Sequence, residues 1–175
     1  MTIRTSIKRF SLAVFMLAAM NAHARAADND PEPGTPKLPA IVVENTTLTF
    51  ETEHSLRTKA AEGDAEAQFS LGFLYAQGMG VKQDFAEAIQ WFQKAANQGN
   101  AAAQLDLGFI YAEGKGVKQN YEEAAKWFTK AAAKGDAFAQ FNLGFLYSKG
   151  MGVKQSWEES AKWYGLAAQQ WKPQE

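Results

Sequence analysis

The chain contains no cysteine. Disulfides, thiolate nucleophiles and cysteine-ligated zinc are therefore excluded. Histidine is nearly as scarce: His23 and His54 are the only two. Charge of one sign is not in excess either. Eighteen basic and 19 acidic residues give a formal net charge of −1, which argues against a dedicated nucleic-acid binder. Proline is rare and confined, with four of the five falling between Ala27 and Pro39. The apolar run "SLAVFMLAAM", Ser11 to Met20, is too short to span a bilayer comfortably.

That run sits in the pattern of an export signal. "MTIRTSIKRF" before it carries Arg4, Lys8 and Arg9 and no acid, and "NAHARAA" after it offers small residues two apart. Cleavage after Ala26 is favoured, with Ala24 as the near alternative. No cysteine follows that would take a lipid anchor. Loss of residues 1–26 removes four bases and His23, leaving 14 basic against 19 acidic residues, net −5. The expectation is a mildly acidic soluble protein of the bacterial periplasm, or a secreted one, with no membrane insertion after signal removal. Residues 27–47 read as a flexible, proline-rich linker. Within it "AIVVENTT" has strand character but no second strand to pair with. Residues 48–62 read as a helix that stops at Gly63.

From Gly63 the sequence repeats at a fixed interval of 36, as 63–98, 99–134 and 135–170, followed by a short tail, 171–175. Each copy reads as two helices joined by a turn. Helix A opens on Asp64, Asn100 or Asp136, and helix B on Asp84, Asn120 or Ser156, all residues whose side chains accept from orphan helix amides. Glu87, Glu123 and Glu159 lie three residues past the helix B caps. That is the capping-box spacing, which predicts a bond from the glutamate back to the cap amide.

The turns "YAQGMGVKQD", "YAEGKGVKQN" and "YSKGMGVKQS" raise the question of a phosphate-binding loop. A Walker loop needs a strand before it, a different glycine spacing and Ser or Thr after the lysine. None of these is met. Gly78, Gly114 and Gly150 instead fall where a helix ends on a left-handed residue. Gly72, Gly108 and Gly144, inside helix A, should each cost roughly 1 kcal/mol against alanine. Close approach of a neighbouring helix is the expected compensation. The lysine–glutamine pairs Lys82-Gln83, Lys118-Gln119 and Lys154-Gln155 read as a solvated turn edge. Trp91, Trp127 and Trp163 read as helix-to-helix packing.

These elements resemble the Sel1-like repeat, a member of the tetratricopeptide-like helical repeats. In the first copy the resemblance rests on Ala67, Leu71-Gly72, Tyr75, Gly78-x-Gly80-Val81, Asp84, Ala88, Trp91, Lys94-Ala95-Ala96 and Gly99. The later copies repeat it, except that Leu166 replaces the lysine and no glycine follows Gln170. The resemblance implies an all-α, right-handed α-solenoid of three 36-residue helix–turn–helix repeats, preceded by one extra helix. It also implies a scaffold or adaptor that binds a peptide or protein with its helices A on the concave side. A cysteine-rich branch of the family is associated with binding or cleaving β-lactams. This chain lacks those cysteines, so that activity is not carried over.

A helical wheel places Leu71, Ala67, Leu74 and Tyr75 toward helix B. On the opposite side it leaves two columns: Phe73, Phe109 and Phe145, and Phe69, Leu105 and Phe141. Ser70, Asp106 and Asn142, with Gln77, Glu113 and Lys149, vary beside them. The expectation is an aromatic ladder that holds a partner by apolar burial, with this variable rim setting specificity; packing between repeats is the competing reading. No catalytic triad, metal-ligand spacing or cofactor motif is present. His54 with Glu51 and Glu53 nearby reads as a surface histidine. The expectation is therefore a non-enzymatic binding module without cofactor or metal. An immunity protein against a periplasmic toxin is the alternative, and a lactam hydrolase a more remote one.

Overall fold

A computed structural model describes residues 50–171, with the side chains of residues 50–53 undescribed. The leader, the linker with "AIVVENTT", and Pro173 lie outside the described residues. Within them the chain forms seven α-helices and no strand. They are α1 (Phe50–Ala61), α2 (Ala65–Gln77), α3 (Phe85–Asn97), α4 (Ala101–Glu113), α5 (Tyr121–Ala133), α6 (Ala137–Lys149) and α7 (Trp157–Gln170). Helices α2, α4 and α6 are the three helices A; α3, α5 and α7 are the helices B.

Local chemistry sets the helix ends. Asp64, Asn100 and Asp136 each accept from the amide three residues on, at 2.7–2.9 Å. Asp84 and Asn120 each accept from two amides, and Ser156 from Glu159. The glutamates do not complete the capping box. The cap amides of Asp84, Asn120 and Ser156 donate instead to the carbonyls of Tyr75, Tyr111 and Tyr147 at 2.9–3.0 Å. That bond ties the start of each helix B to the end of its own helix A, so the amide has no need of the glutamate. Glu123 and Glu159 pair instead with Lys126 and Lys162 on the solvent side. At the Asp136 cap, burial pushes the carboxyl above its usual range, against the backbone bonds it accepts.

The turn glycines do two jobs. Gly78, Gly114 and Gly150 take φ of 68–74° and end helix A. Gly116 and Gly152 carry the loop across the start of the preceding helix B. A Cβ at Gly116 would lie 2.4 Å from Phe85 Cβ, and one at Gly152 2.2 Å from the Tyr121 carbonyl carbon. The glutamines of the turn are caps rather than solvated edge. Gln83, Gln119 and Gln155 donate to Ala76, Ala112 and Ser148 carbonyls at 2.7–2.8 Å, satisfying the exposed end of helix A.

Helices A are wedged between two helices B. Ala103, Leu107 and Ile110 of α4 join Ile89, Phe92, Ala95 and Ala96 of α3, the helix B of the preceding repeat. The other flank of α4, Leu105 and Phe109, packs with Phe128 of its own helix B and with Leu143 and Leu146 of α6. The helices A of the second and third repeats touch each other directly, while successive helices B have no comparable contact. Helices A therefore form the inner layer of the solenoid and helices B the outer one. The helix-A glycines sit where this wedge is tightest: a Cβ at Gly72 or Gly108 would meet the Phe92 or Phe128 ring at 2.7 or 2.4 Å.

A buried glutamine in each helix A fastens one repeat to the previous one. Gln68, Gln104 and Gln140 donate to Ala60, Ala96 and Ala132 carbonyls at 3.0–3.2 Å. Because Ala60 belongs to α1, that helix stands where a preceding helix B would stand. The side-chain oxygens of Gln68 and Gln140 accept from Gln98 and Gln170 at 2.8–2.9 Å. In the second repeat Lys134 occupies the equivalent place and bonds the Gly99 carbonyl at 2.7 Å, leaving Gln104 Oε1 buried without a hydrogen bond. Gln98 makes both contacts at once, to Gln68 and to the Gly63 carbonyl. Lys134→Gln should therefore stabilise the protein by up to about 1 kcal/mol, read as a rise in the urea midpoint without a change in slope.

Candidate partner-binding surface

The inner layer carries the predicted ladder, but much of it is interior. Phe69 is buried against Phe92, with ring centroids 5.8 Å apart. Leu105 is buried, and Phe109 meets Phe128 edge-on at 5.2 Å. Asp106, expected at the rim, is fully buried. The continuous exposed ladder is therefore corrected. The physical reason is the wedge: packing on both flanks of helix A covers Phe69, Leu105 and Phe109. The signal was in the sequence, since α2, α4 and α6 are apolar almost all round, and such a helix is buried rather than half-exposed.

What remains accessible is narrower. Phe73 and Phe145 are half-buried, and Phe141 is 40% exposed. Gln77, Glu113 and Lys149 are exposed at the C-terminal ends of the three helices A. Their charges differ from copy to copy, and Glu113 pairs with Lys115 at 2.6 Å. Ser70 and Asn142 are half-buried, and the Asn142 side chain donates to the Phe138 carbonyl. The surface is thus two half-open aromatic sites flanking a closed centre, with one variable polar position per repeat along the edge.

The outer layer carries a different column. Lys94 lies over the Trp91 ring at 3.7 Å and Lys130 over Trp127 at 3.9 Å. These lysines shield the indoles that the sequence placed in the packing. Two open clefts of about 450 and 510 Å³ flank Gly152 at the turn edge. The first is lined by polar turn residues and Tyr121, and the second by Ala125, Thr129 and Val153 with Lys126 and Lys130; Glu122 and Gly152 border both. Among the described residues no group of three or more His, Cys, Asp or Glu is placed to hold a metal ion. His54 is exposed on α1. Among the described residues, no helix is long and apolar enough to cross a membrane.

Helical hairpins stacked so that each helix A is shared by two helices B define an α-solenoid. The Sel1 repeat model matches residues 65–100, 101–136 and 137–170, and the chain belongs to the Sel1 repeat family. A protective antigen of uropathogenic Escherichia coli with an SLR fold is similar at 45% identity and a TM-score of 0.66, over 68% of this chain and 26% of that one. The chain thus spans about a quarter of that protein's length. A Sel1 repeat protein from Oxalobacter formigenes is similar at 38% identity and a TM-score of 0.63, over 69% of this chain and 90% of that one. Cysteine rich protein B of Helicobacter pylori shares the fold at 22% identity and a TM-score of 0.54, over 71% of this chain and 92% of that one. A comparison with the curated proteins finds no match. The fold is that of a protein-interaction scaffold.

Proposed function

We propose that the chain is an adaptor of the periplasm or cell exterior that binds a peptide or protein segment along its inner layer. The observation that carries this reading is the combination of an invariant buried framework with one exposed, copy-specific residue per repeat. Gln77, Glu113 and Lys149 present a neutral, an acidic and a basic group in register along one edge. Phe73 and Phe145, half-open beside them, supply apolar contact. Phe69, Leu105, Phe109 and Asp106 act from beneath by fixing the helix positions. An extended segment lying across three repeats would meet all three polar positions in turn. The basic and then apolar N-terminal segment, read from the sequence as an export signal, supports the extracytoplasmic site of action.

The rim positions are exposed, so their replacement leaves the packing intact. The variant Gln77→Arg/Glu113→Arg/Lys149→Glu should keep its melting temperature and lose about tenfold or more in affinity for the partner captured by the unaltered protein. Retained affinity in a folded triple variant would place the binding site elsewhere.

A further inference from the structure

We propose that the free face of α7 is a self-association surface that pairs two copies of this chain across a two-fold axis. The face continues an interface already present twice inside the molecule. The corresponding face of α3 is covered by α4, and that of α5 by α6. Ile89 and Ala96 of α3, and Ala125 and Ala132 of α5, are buried by that contact. Their counterparts in α7, Ala161 and Ala168, are exposed. At the head of the same face Trp157 is 69% exposed, whereas its counterparts Phe85 and Tyr121 are half-buried. Beside the stripe, the Tyr164 ring lies tilted against Phe141 at 5.1 Å between centroids and Phe141 against Trp171 at 5.7 Å, and Trp171 is itself 50% exposed. Among the described residues, the exposed large apolar side chains thus concentrate at this end of the solenoid.

The three copies grade into one another at the positions that face outward. Where α3 has Phe85, Ile89 and Gln93 and α5 has Tyr121, Ala125 and Thr129, α7 has Trp157, Ala161 and Gly165. The third copy thus carries the largest residue at the head, keeps the alanine of the second and is the only one with glycine at the last position. Two such helices laid antiparallel fit each other. A register that sets Trp157 over the partner's Ala168 also brings Ala161 opposite the open edge of the partner's half-buried Tyr164, so large meets small at both contacts. Both contacts occur twice across the axis, as an isologous interface requires. Stacking head to tail is disfavoured, because among the described residues the other end of the solenoid is closed by α1. That helix turns Leu56 and Ala60 inward and leaves Ser55, Thr58 and Lys59 exposed.

Sedimentation equilibrium of the purified protein over a broad micromolar range tests this. A monomer–dimer equilibrium is expected, and Gly165→Arg should weaken it by roughly 100-fold. Gly165 is exposed, and a Cβ there has nothing within 4 Å among the described residues. The variant should therefore keep its helical circular dichroism and its melting temperature at dilution. A protein that stays monomeric at the highest concentration overturns the proposal. So does a dimer that Gly165→Arg leaves unchanged, or a series of assemblies that grows without closing.

Discussion

Phe109→Ala will destabilise the protein by roughly 3–5 kcal/mol and lower the melting temperature by about 10–20 °C. The side chain is 5% exposed and its ring meets Phe128 edge-on at 5.2 Å, deep between the second and third repeats. Truncation removes that contact and opens a cavity that Leu105, Leu143 and Leu146 cannot fill without moving two helices. Phe141→Ala, on the same layer but 40% exposed, should cost far less. Thermal melts of the two variants side by side read the difference directly. Equal and small effects would mean that the inner layer is not packed as described.

Gly108→Ala should also destabilise, although the same change in an ordinary helix gains about 1 kcal/mol. The added methyl would sit 2.4 Å from the Phe128 ring, inside any tolerable contact. The ring is 1% exposed and has nowhere to turn, so α4 and α5 must separate. Overpacking of this kind typically costs 1–3 kcal/mol. A net loss of about 2 kcal/mol is expected, or roughly 6–10 °C in the melt. The equivalent change at Gly144 should be milder, because the nearest ring atom of Tyr164 lies 3.0 Å away. Across the three repeats the loss should follow the approach distance: greatest at Gly108, then Gly72, then Gly144. A gain at Gly108 would contradict the packing.

The repeat itself was legible because its signals are local. The N-cap residues and the turn glycines follow from backbone chemistry within a few positions, and the structure places them as read, although the capping-box glutamates do not cap. The helix-A glycines were also readable, because an unfavourable residue repeated three times demands a compensating contact. Two things were harder to see. Gln68, Gln104 and Gln140 recur in every copy, but their partners are carbonyls of the preceding helix B, a relation that appears only once the repeats are stacked. A wheel drawn for one hairpin counts one neighbour, helix B. In the solenoid helix A has two, so the side opposite Leu71 that looked free at Phe69 and Phe109 is filled. Asp106 shows the same error from the polar side, since a variable polar residue reads as surface until the second neighbour is counted.

Position-specific crosslinking is the most direct test of the inner-layer adaptor reading. A photo-reactive side chain would be placed singly at Gln77, Glu113 or Lys149 on the inner edge, and at Gln90, Lys126 or Lys162 on the outer layer, all exposed positions. The account predicts that the three inner positions attach to one and the same protein and that the outer three do not. Attachment from the outer positions alone would contradict it and move recognition to the tryptophan–lysine column of helices B.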